Sequence, residues 1–291
     1  MSRSARLILD LLRVKQWIKN LLVFGALIFT NNIFNGPLFL KAVIAFFLFS
    51  FASSSLYIIN DIRDRKEDRL HPDKKNRPIA SGSVPVSFAL GLSLMLAALT
   101  FTSAYILSFP FFVVLASYAV ISFSYSMKLK HIVILDVLIV ASGFVLRAAA
   151  GALVISVSIS PWLLICTSLL ALFVVLAKRR YELAALAEAL KHRKILDEYS
   201  LPLIDQMISV VTASTVMAYS LYAFTSPTAQ KHNYLMLTIP FVLYAIFRYL
   251  YLIHKKNQGG SPESVFLKDV PMIVDVLLWT ASSVIIISFI K

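Results

Sequence analysis

Residues 38–60 read LFLKAVIAFFLFSFASSSLYIIN, and residues 61–69 continue as DIRDRKEDR. The first stretch is almost wholly apolar. As a helix it is long enough to cross the ~30 Å hydrocarbon core of a bilayer, which takes roughly 17–25 residues. The second stretch changes character at once, with Ile62 as its one uncharged residue. An apolar span that ends in a dense run of acids and bases sets the architecture. The chain crosses a membrane and gathers its ionisable groups at the ends of its spans.

The same alternation continues in both directions. Of the 291 residues, 59% are hydrophobic and 15% charged, and the mean hydropathy is +0.79. A soluble domain is about 45–50% apolar and about 25% charged, so a soluble globule is excluded, and disorder more firmly still. Apolar blocks between polar punctuation predict nine spans, at Asn20–Phe34, Leu38–Asn60, Pro85–Leu107, Phe111–Met127, Ile132–Ser156, Pro161–Ala177, Gln206–Phe224, Tyr234–His254 and Val270–Ile290. The first is short and polar at its outer end, where Asn31, Asn32 and Asn35 fall. The expectation is an all-α polytopic membrane protein forming one integral-membrane domain over residues 1–291.

Lys and Arg number 28 against 15 Asp and Glu, a net charge of +13. In a soluble protein that balance would suggest nucleic acid. Here the bases sit between spans, so the expected partner is the bilayer and its anionic headgroups, with no nucleic acid. One set of alternating connections holds 23 of the basic residues and the other holds Lys41, Lys231 and Lys291, while Arg147 and Arg248 fall inside spans. This asymmetry predicts a cytoplasmic N-terminus, cytoplasmic long loops and an outside C-terminus. Residues 1–19 are expected to lie at the interface, with Arg6–Lys19 an amphipathic helix presenting Leu7, Leu11, Val14 and Ile18. The single cysteine, Cys166, excludes a disulfide framework, and Met1–Asn20 lacks the long apolar run of a cleavable signal.

Asp61, Asp64 and Asp68 are spaced by three and four, so they project from one helical face. Three adjacent carboxylates repel one another. A divalent cation removes the conflict, and Mg²⁺ favours a few carboxylate oxygens completed by phosphates and water. Asn60 adds an amide at the rim. Beyond lies a proline-bounded loop, His71 to Gly82, carrying Lys74, Lys75 and Arg77, bases suited to phosphate oxygens. The other reading is a solvated helix end in which neighbouring bases offset the acids. His71, His131, His192, His232 and His254 show no metal-ligand spacing.

The run N-D-x-x-D-x-x-x-D (Asn60 to Asp68) followed by K-x-x-R-P-I-A-S-G (Lys74 to Gly82) resembles the UbiA superfamily of intramembrane prenyltransferases. The resemblance covers essentially the whole chain. It implies nine transmembrane helices around a central cavity open to the cytoplasm and laterally to lipid, with Asp61, Asp64 and Asp68 as a Mg²⁺–diphosphate site. Segments 61–84 and 178–205 would then be the active-site loops.

Members of that superfamily carry a second acidic motif after the sixth span, where this chain has Lys178-Arg179-Arg180-Tyr181-Glu182. Cations there favour a second anion approaching the first. The competing reading is a positive-inside anchor with Lys178 paired to Glu182. The pattern is similar to a narrower branch, the decaprenyl-phosphate phosphoribosyltransferases, through Arg13–Asn20 (with Lys15 and Lys19), Tyr125–His131 (with Lys130), Asp136, Leu146–Gly151 (with Arg147), and Lys178, Arg179 and Glu182. Asp136 and Arg147 lie eleven residues apart on one face of the fifth span, about 16 Å from each other. An arginine inside a span suggests a cavity or a partner.

The resemblance implies transfer of 5-phosphoribose from phosphoribosyl pyrophosphate to a polyprenyl phosphate, in the plasma membrane of a bacterial-type cell, toward cell-envelope polymers. Two other readings stay open, prenyl transfer from a diphosphate to a small aromatic acceptor, and a non-catalytic lipid or solute carrier. The oligomeric state is left open.

Overall fold

The computed structural model describes residues 3–70, 74–185, 194–256, 258–260 and 262–290. In chain order the helices are α1 (Arg3–Leu11), a 3₁₀ segment (Val14–Phe24) running into α2 (Gly25–Phe29), α3 (Gly36–Arg63), α4 (Arg65–Leu70), α5 (Val86–Leu107), α6 (Phe109–Met127) and α7 (Leu135–Val154). They continue with α8 (Pro161–Ala185), α9 (Leu201–Thr225), α10 (Pro227–Lys231), α11 (Ile239–Lys255), α12 (Pro262–Lys268) and α13 (Val270–Phe289).

Four of the long helices start by one device. Asn35, Ser108, Ser200 and Asp269 each accept a backbone N–H three residues ahead, and each is followed two residues on by proline. The cap satisfies an orphan donor, and proline lacks the N–H that would otherwise be another.

Eight helices among the described residues are long and apolar enough to span a membrane, the shortest being α6 and the longest α9 together with α10. The chain is therefore an integral membrane protein. The first expected span, Asn20–Phe34, is not one of the eight. In its place the 3₁₀ segment and α2 run from the acidic end of the bundle, where Arg13 meets Asp61, to the far end, where Asn31 accepts from Ser288 at 3.0 Å. At roughly 2.0 Å per residue in 3₁₀ and 1.5 Å in α form, that path is about 30 Å.

The segment is held by hydroxyls on α3. Trp17 donates to Ser54 at 3.0 Å, Asn20 to Ser50 at 2.9 Å, and Ser54 donates to the Leu12 carbonyl at 2.6 Å. On its other side α7 lies in contact, since a Cβ on Gly151 would sit 2.0 Å from the Val23 carbonyl oxygen. The expected interfacial helix over Arg6–Lys19 is shorter than that. It ends at Leu11, and Arg13 turns the chain with φ 51 before the 3₁₀ segment begins. The sixth span runs past its expected end at Ala177, so Lys178, Arg179, Arg180 and Glu182 stand on α8 itself rather than in a loop.

Candidate active site

The α3 helix ends at Arg63, yet its hydrogen bonds carry across the break. Asp64 donates its N–H to the Asn60 carbonyl and Asp68 donates to the Asp64 carbonyl, both at 2.8 Å. Asp61, Asp64 and Asp68 therefore keep one face. Asp61 and Asp68 are 4% and 3% exposed. A carboxylate so buried needs countercharge.

The countercharge comes from two turns. Arg13 donates through Nε to Asp61 Oδ2 at 3.2 Å and through Nη2 to Oδ1. Arg77 Nη1 lies 2.9 Å from Asp61 Oδ1 and 2.6 Å from Asp68 Oδ2, so one atom touches both acids. Lys74 Nζ is 3.9 Å from Asp68. Asp64 turns aside to Lys130 Nζ at 3.5 Å. The expected three-acid cluster is thus gathered as a pair plus one. No grouping of three metal-ligating side chains occurs among the described residues; His71 and His192 lie outside them. The donor set still suits a hard cation, since the two buried carboxylates already share one positive atom.

The turn that carries Arg77 is anchored from below. Arg69 Nε donates to the Ala80 carbonyl at 2.8 Å, and Ile79 is buried with Leu11, Ile58 and Ala89. Gly82 closes the turn at φ 79, a conformation open to glycine. Lys75 and Lys15 are exposed, Asn60 is half-buried, and Lys19 donates to Gln16 at 2.5 Å.

A second cluster lies where α6, α7 and α8 reach the same end. Asp136 is fully buried and accepts from Arg179 at 3.0 Å and from the Tyr199 hydroxyl at 2.8 Å. Arg179 also donates to Glu182 at 2.6 Å and to Tyr125 at 3.3 Å. Lys178 Nζ is 3.9 Å from Glu182, so the i, i+4 pair exists while Arg179 takes the shorter contact. Arg179, 4% exposed and answered by two carboxylates, is a wall of this site more than an open cation. Burial and the hydrogen bond to Asp136 push the Tyr199 phenol up to about 12, which keeps it a donor. The two clusters are joined through Lys130 and through Arg63, which donates to the Ser126 and Met127 carbonyls.

The structure separates Arg147 from both clusters. Its Nε donates to Asn20 at 2.7 Å, Nη1 to the Gly143 carbonyl at 2.5 Å and Nη2 to Tyr118 at 3.0 Å, and its guanidinium stacks on Phe49, Tyr118 and Phe144. An arginine in a span did mark a partner, and the partner is the 3₁₀ segment. The sequence reading did not name two site residues, Arg13, quoted only as the start of the Arg13–Asn20 stretch, and Tyr199. Each acts on an acid far away in sequence, 48 and 63 positions off, so local spacing gave no sign of either.

The profile of the UbiA prenyltransferase family matches residues 21–269. Among curated proteins, the decaprenyl-phosphate phosphoribosyltransferase of Mycolicibacterium smegmatis is 35% identical over 284 residues, covering 92% of this chain and 88% of that protein. The protein of the same name from Corynebacterium glutamicum is 33% identical, covering 92% and 82%. Among solved structures, a UbiA homolog from Archaeoglobus fulgidus bound to DMAPP and Mg²⁺ superposes with a TM-score of 0.72 at 20% identity, over 97% of this chain and 99% of that one. The family match and the relatives' shared length together settle the family, and the shared fold agrees: this chain is a transferase belonging to the UbiA prenyltransferase family.

Proposed function

We propose that the protein transfers 5-phosphoribose from phosphoribosyl pyrophosphate to a polyprenyl phosphate of the decaprenyl type, releasing diphosphate, with Mg²⁺ as cofactor. One observation carries the reading: acids and bases are interleaved at one end of the bundle, with Asp61 and Asp68 sharing Arg77 and Asp64 meeting Lys130. That arrangement suits a metal-bound diphosphate. Of the cations at Lys178–Arg180, where the superfamily has acids, Arg179 is taken by Asp136 and Glu182 and Arg180 by Asp205, which leaves the more exposed Lys178 to suit a second anion. The relatives' names support the same pair of substrates.

Asp61 and Asp68, with Asp64 beside them, would hold the metal, which offsets the charge of a departing diphosphate when bound. Lys74, Lys75 and Arg77 hold the donor's phosphates, the arginine through its fork of N–H groups. Lys130 and Lys178 hold the lipid phosphate, and Arg179, Glu182, Asp136 and Tyr125 fix the wall behind it. Lys15, Lys19 and Asn60 line the approach, and Arg147 acts on it through Asn20. The acceptor is already an anion at pH 7, so its oxygen attacks the anomeric carbon without a general base. The carbon–oxygen bond to diphosphate breaks, and diphosphate leaves with the electron pair. The isoprenoid tail lies along the apolar helices. The basic-residue asymmetry supports placing this end, and the N-terminus, in the cytoplasm of a bacterial-type cell and the C-terminus outside.

A second reading is prenyl transfer to a small aromatic acceptor, of which the family's name and the DMAPP-bound fold neighbour favour the prenyl diphosphate donor. Membranes containing the protein, Mg²⁺ and labelled phosphoribosyl pyrophosphate separate the two. Label entering the lipid extract only when polyprenyl phosphate is added, and lost with Asp64→Asn, is the expected result. Consumption of a prenyl diphosphate with an aromatic acid, and no lipid label, would favour the second reading.

A further inference from the structure

We propose that Arg13 and Arg77 are internal substitutes for the metal, which occupy Asp61 and Asp68 until Mg²⁺ and a diphosphate arrive together, so that neither ligand loads the site well alone. This rests on the reading of Asp61 and Asp68 as the metal–diphosphate site.

The carboxylate of Asp61 accepts three N–H groups, two on Oδ1 and one on Oδ2, of the roughly four that a carboxylate can take. Asp68 gives Oδ2 to the same Nη1 atom of Arg77. A cation that bridges these two acids must take the place that Arg77 now holds. The acids stand on α3 and α4, whereas both arginines stand on turns, Arg13 between α1 and the 3₁₀ segment, and Arg77 between α4 and α5. Their side chains are 19% and 27% exposed, so they reach water at the mouth while the acids do not. Both turns share one apolar anchor, Leu11 beside Arg13 and Ile79 beside Arg77, packed with Ile58 and Ala89. The arms swing and the anchor stays.

Charge then couples the loading of the two ligands. Metal alone would displace two guanidinium groups from buried acids and give them no new partner. Diphosphate alone would meet the lysines of the turn, Lys75 exposed among them, but guanidinium groups already neutralised, and so only part of its countercharge. With both present, the carboxylates pass to the metal and the freed arginines face the anion, so no charge is left unpaired. Each ligand must therefore raise the other's affinity by the same factor, as linkage requires.

The test is binding of Mn²⁺, read by its electron paramagnetic resonance, to the purified metal-free protein in detergent, with and without inorganic diphosphate and without turnover. The wild-type protein is expected to bind Mn²⁺ weakly alone, and diphosphate to tighten that binding. Arg13→Gln and Arg77→Gln are each expected to bind Mn²⁺ alone about tenfold or more tightly than wild type, because the competing cation is removed. Their gain from diphosphate should be smaller. Arg13→Lys, which keeps the charge but loses the fork, should fall between and serves if a glutamine variant does not fold. Variants that bind Mn²⁺ no more tightly than wild type, while wild type binds it with diphosphate, overturn the exchange and leave the metal site standing. Failure of every protein to bind Mn²⁺ even with diphosphate overturns the metal site and the exchange together.

Discussion

Tyr199 and Asp136, 63 residues apart, meet at the acidic end of the bundle, where the phenol donates to Oδ1 at 2.8 Å and accepts the Ile134 N–H at 2.7 Å. Ile134 carries φ 67, a conformation a β-branched residue rarely adopts. One hydroxyl thus fixes both the entry to α7 and the carboxylate that orients Arg179.

Tyr199→Phe removes a hydrogen bond to a charged group and should cost about 1.5–3 kcal/mol. Its pH dependence has a definite sign. The folded phenol titrates near 12, above its ordinary value of 10.0, so its contribution is full below pH 10 and is lost as pH rises toward 12. Thermal unfolding in detergent should show the wild-type advantage over Tyr199→Phe shrinking in that window. An advantage that grows with alkalinity would contradict the assignment.

Breaking the buried pair at Asp136 should cost more than trimming its partner. Asp136 is 0% exposed beside Arg179, whereas Glu182 is 22% exposed. Asp136→Asn should destabilise by about 1.5–3 kcal/mol, the scale of a hydrogen bond to a charged group, since Arg179 keeps Glu182. Glu182→Gln is expected to cost less than Asp136→Asn. Equal losses in denaturation midpoints would count against the burial argument.

Arg147 is expected to act on the 3₁₀ segment and not on substrate. Arg147→Lys cannot serve Asn20, Gly143 and Tyr118 together, so amide exchange across residues 14–24 should quicken. Any rise in the KM for polyprenyl phosphate should come only together with that faster exchange, since Lys15 and Lys19 stand on the same segment. A raised KM with normal exchange would place the arginine on the lipid phosphate instead.

Gly151→Ala should force α7 off the 3₁₀ segment, at about 1–3 kcal/mol for overpacking. Gly91→Ala, where an added methyl meets open space, is the control. Similar melting temperatures for the two variants would refute the close contact at Val23.

The apolar blocks were legible because spanning helices must be long and nearly uncharged, and α5 begins one residue from its expected start at Pro85. Val14–Phe29 was legible only in part, as an apolar stretch from Asn20 and not as a 3₁₀ segment. A 3₁₀ segment has no 3.6-residue period, and its polar residues Trp17 and Asn20 are answered by serines on α3 that look unremarkable in sequence. The end of α8 was misplaced because Lys178 and Arg179 mark where the apolar core stops, and both are good helix formers that let the helix continue. Asp61 and Asp68 were legible from spacing on one face. Arg13 was quoted only as the start of the Arg13–Asn20 stretch, and its left-handed bend, with neither glycine nor asparagine to announce it, hid its reach to Asp61.

Phosphoribosyl transfer itself is tested most directly by phosphorus NMR on purified protein with Mg²⁺, phosphoribosyl pyrophosphate and a polyprenyl monophosphate. A lipid phosphodiester and free diphosphate should appear in equal amounts, and both should vanish with Asp61→Asn or chelator. A lipid monophosphate that stays unchanged while the donor is consumed, or is left intact, would contradict the proposed reaction.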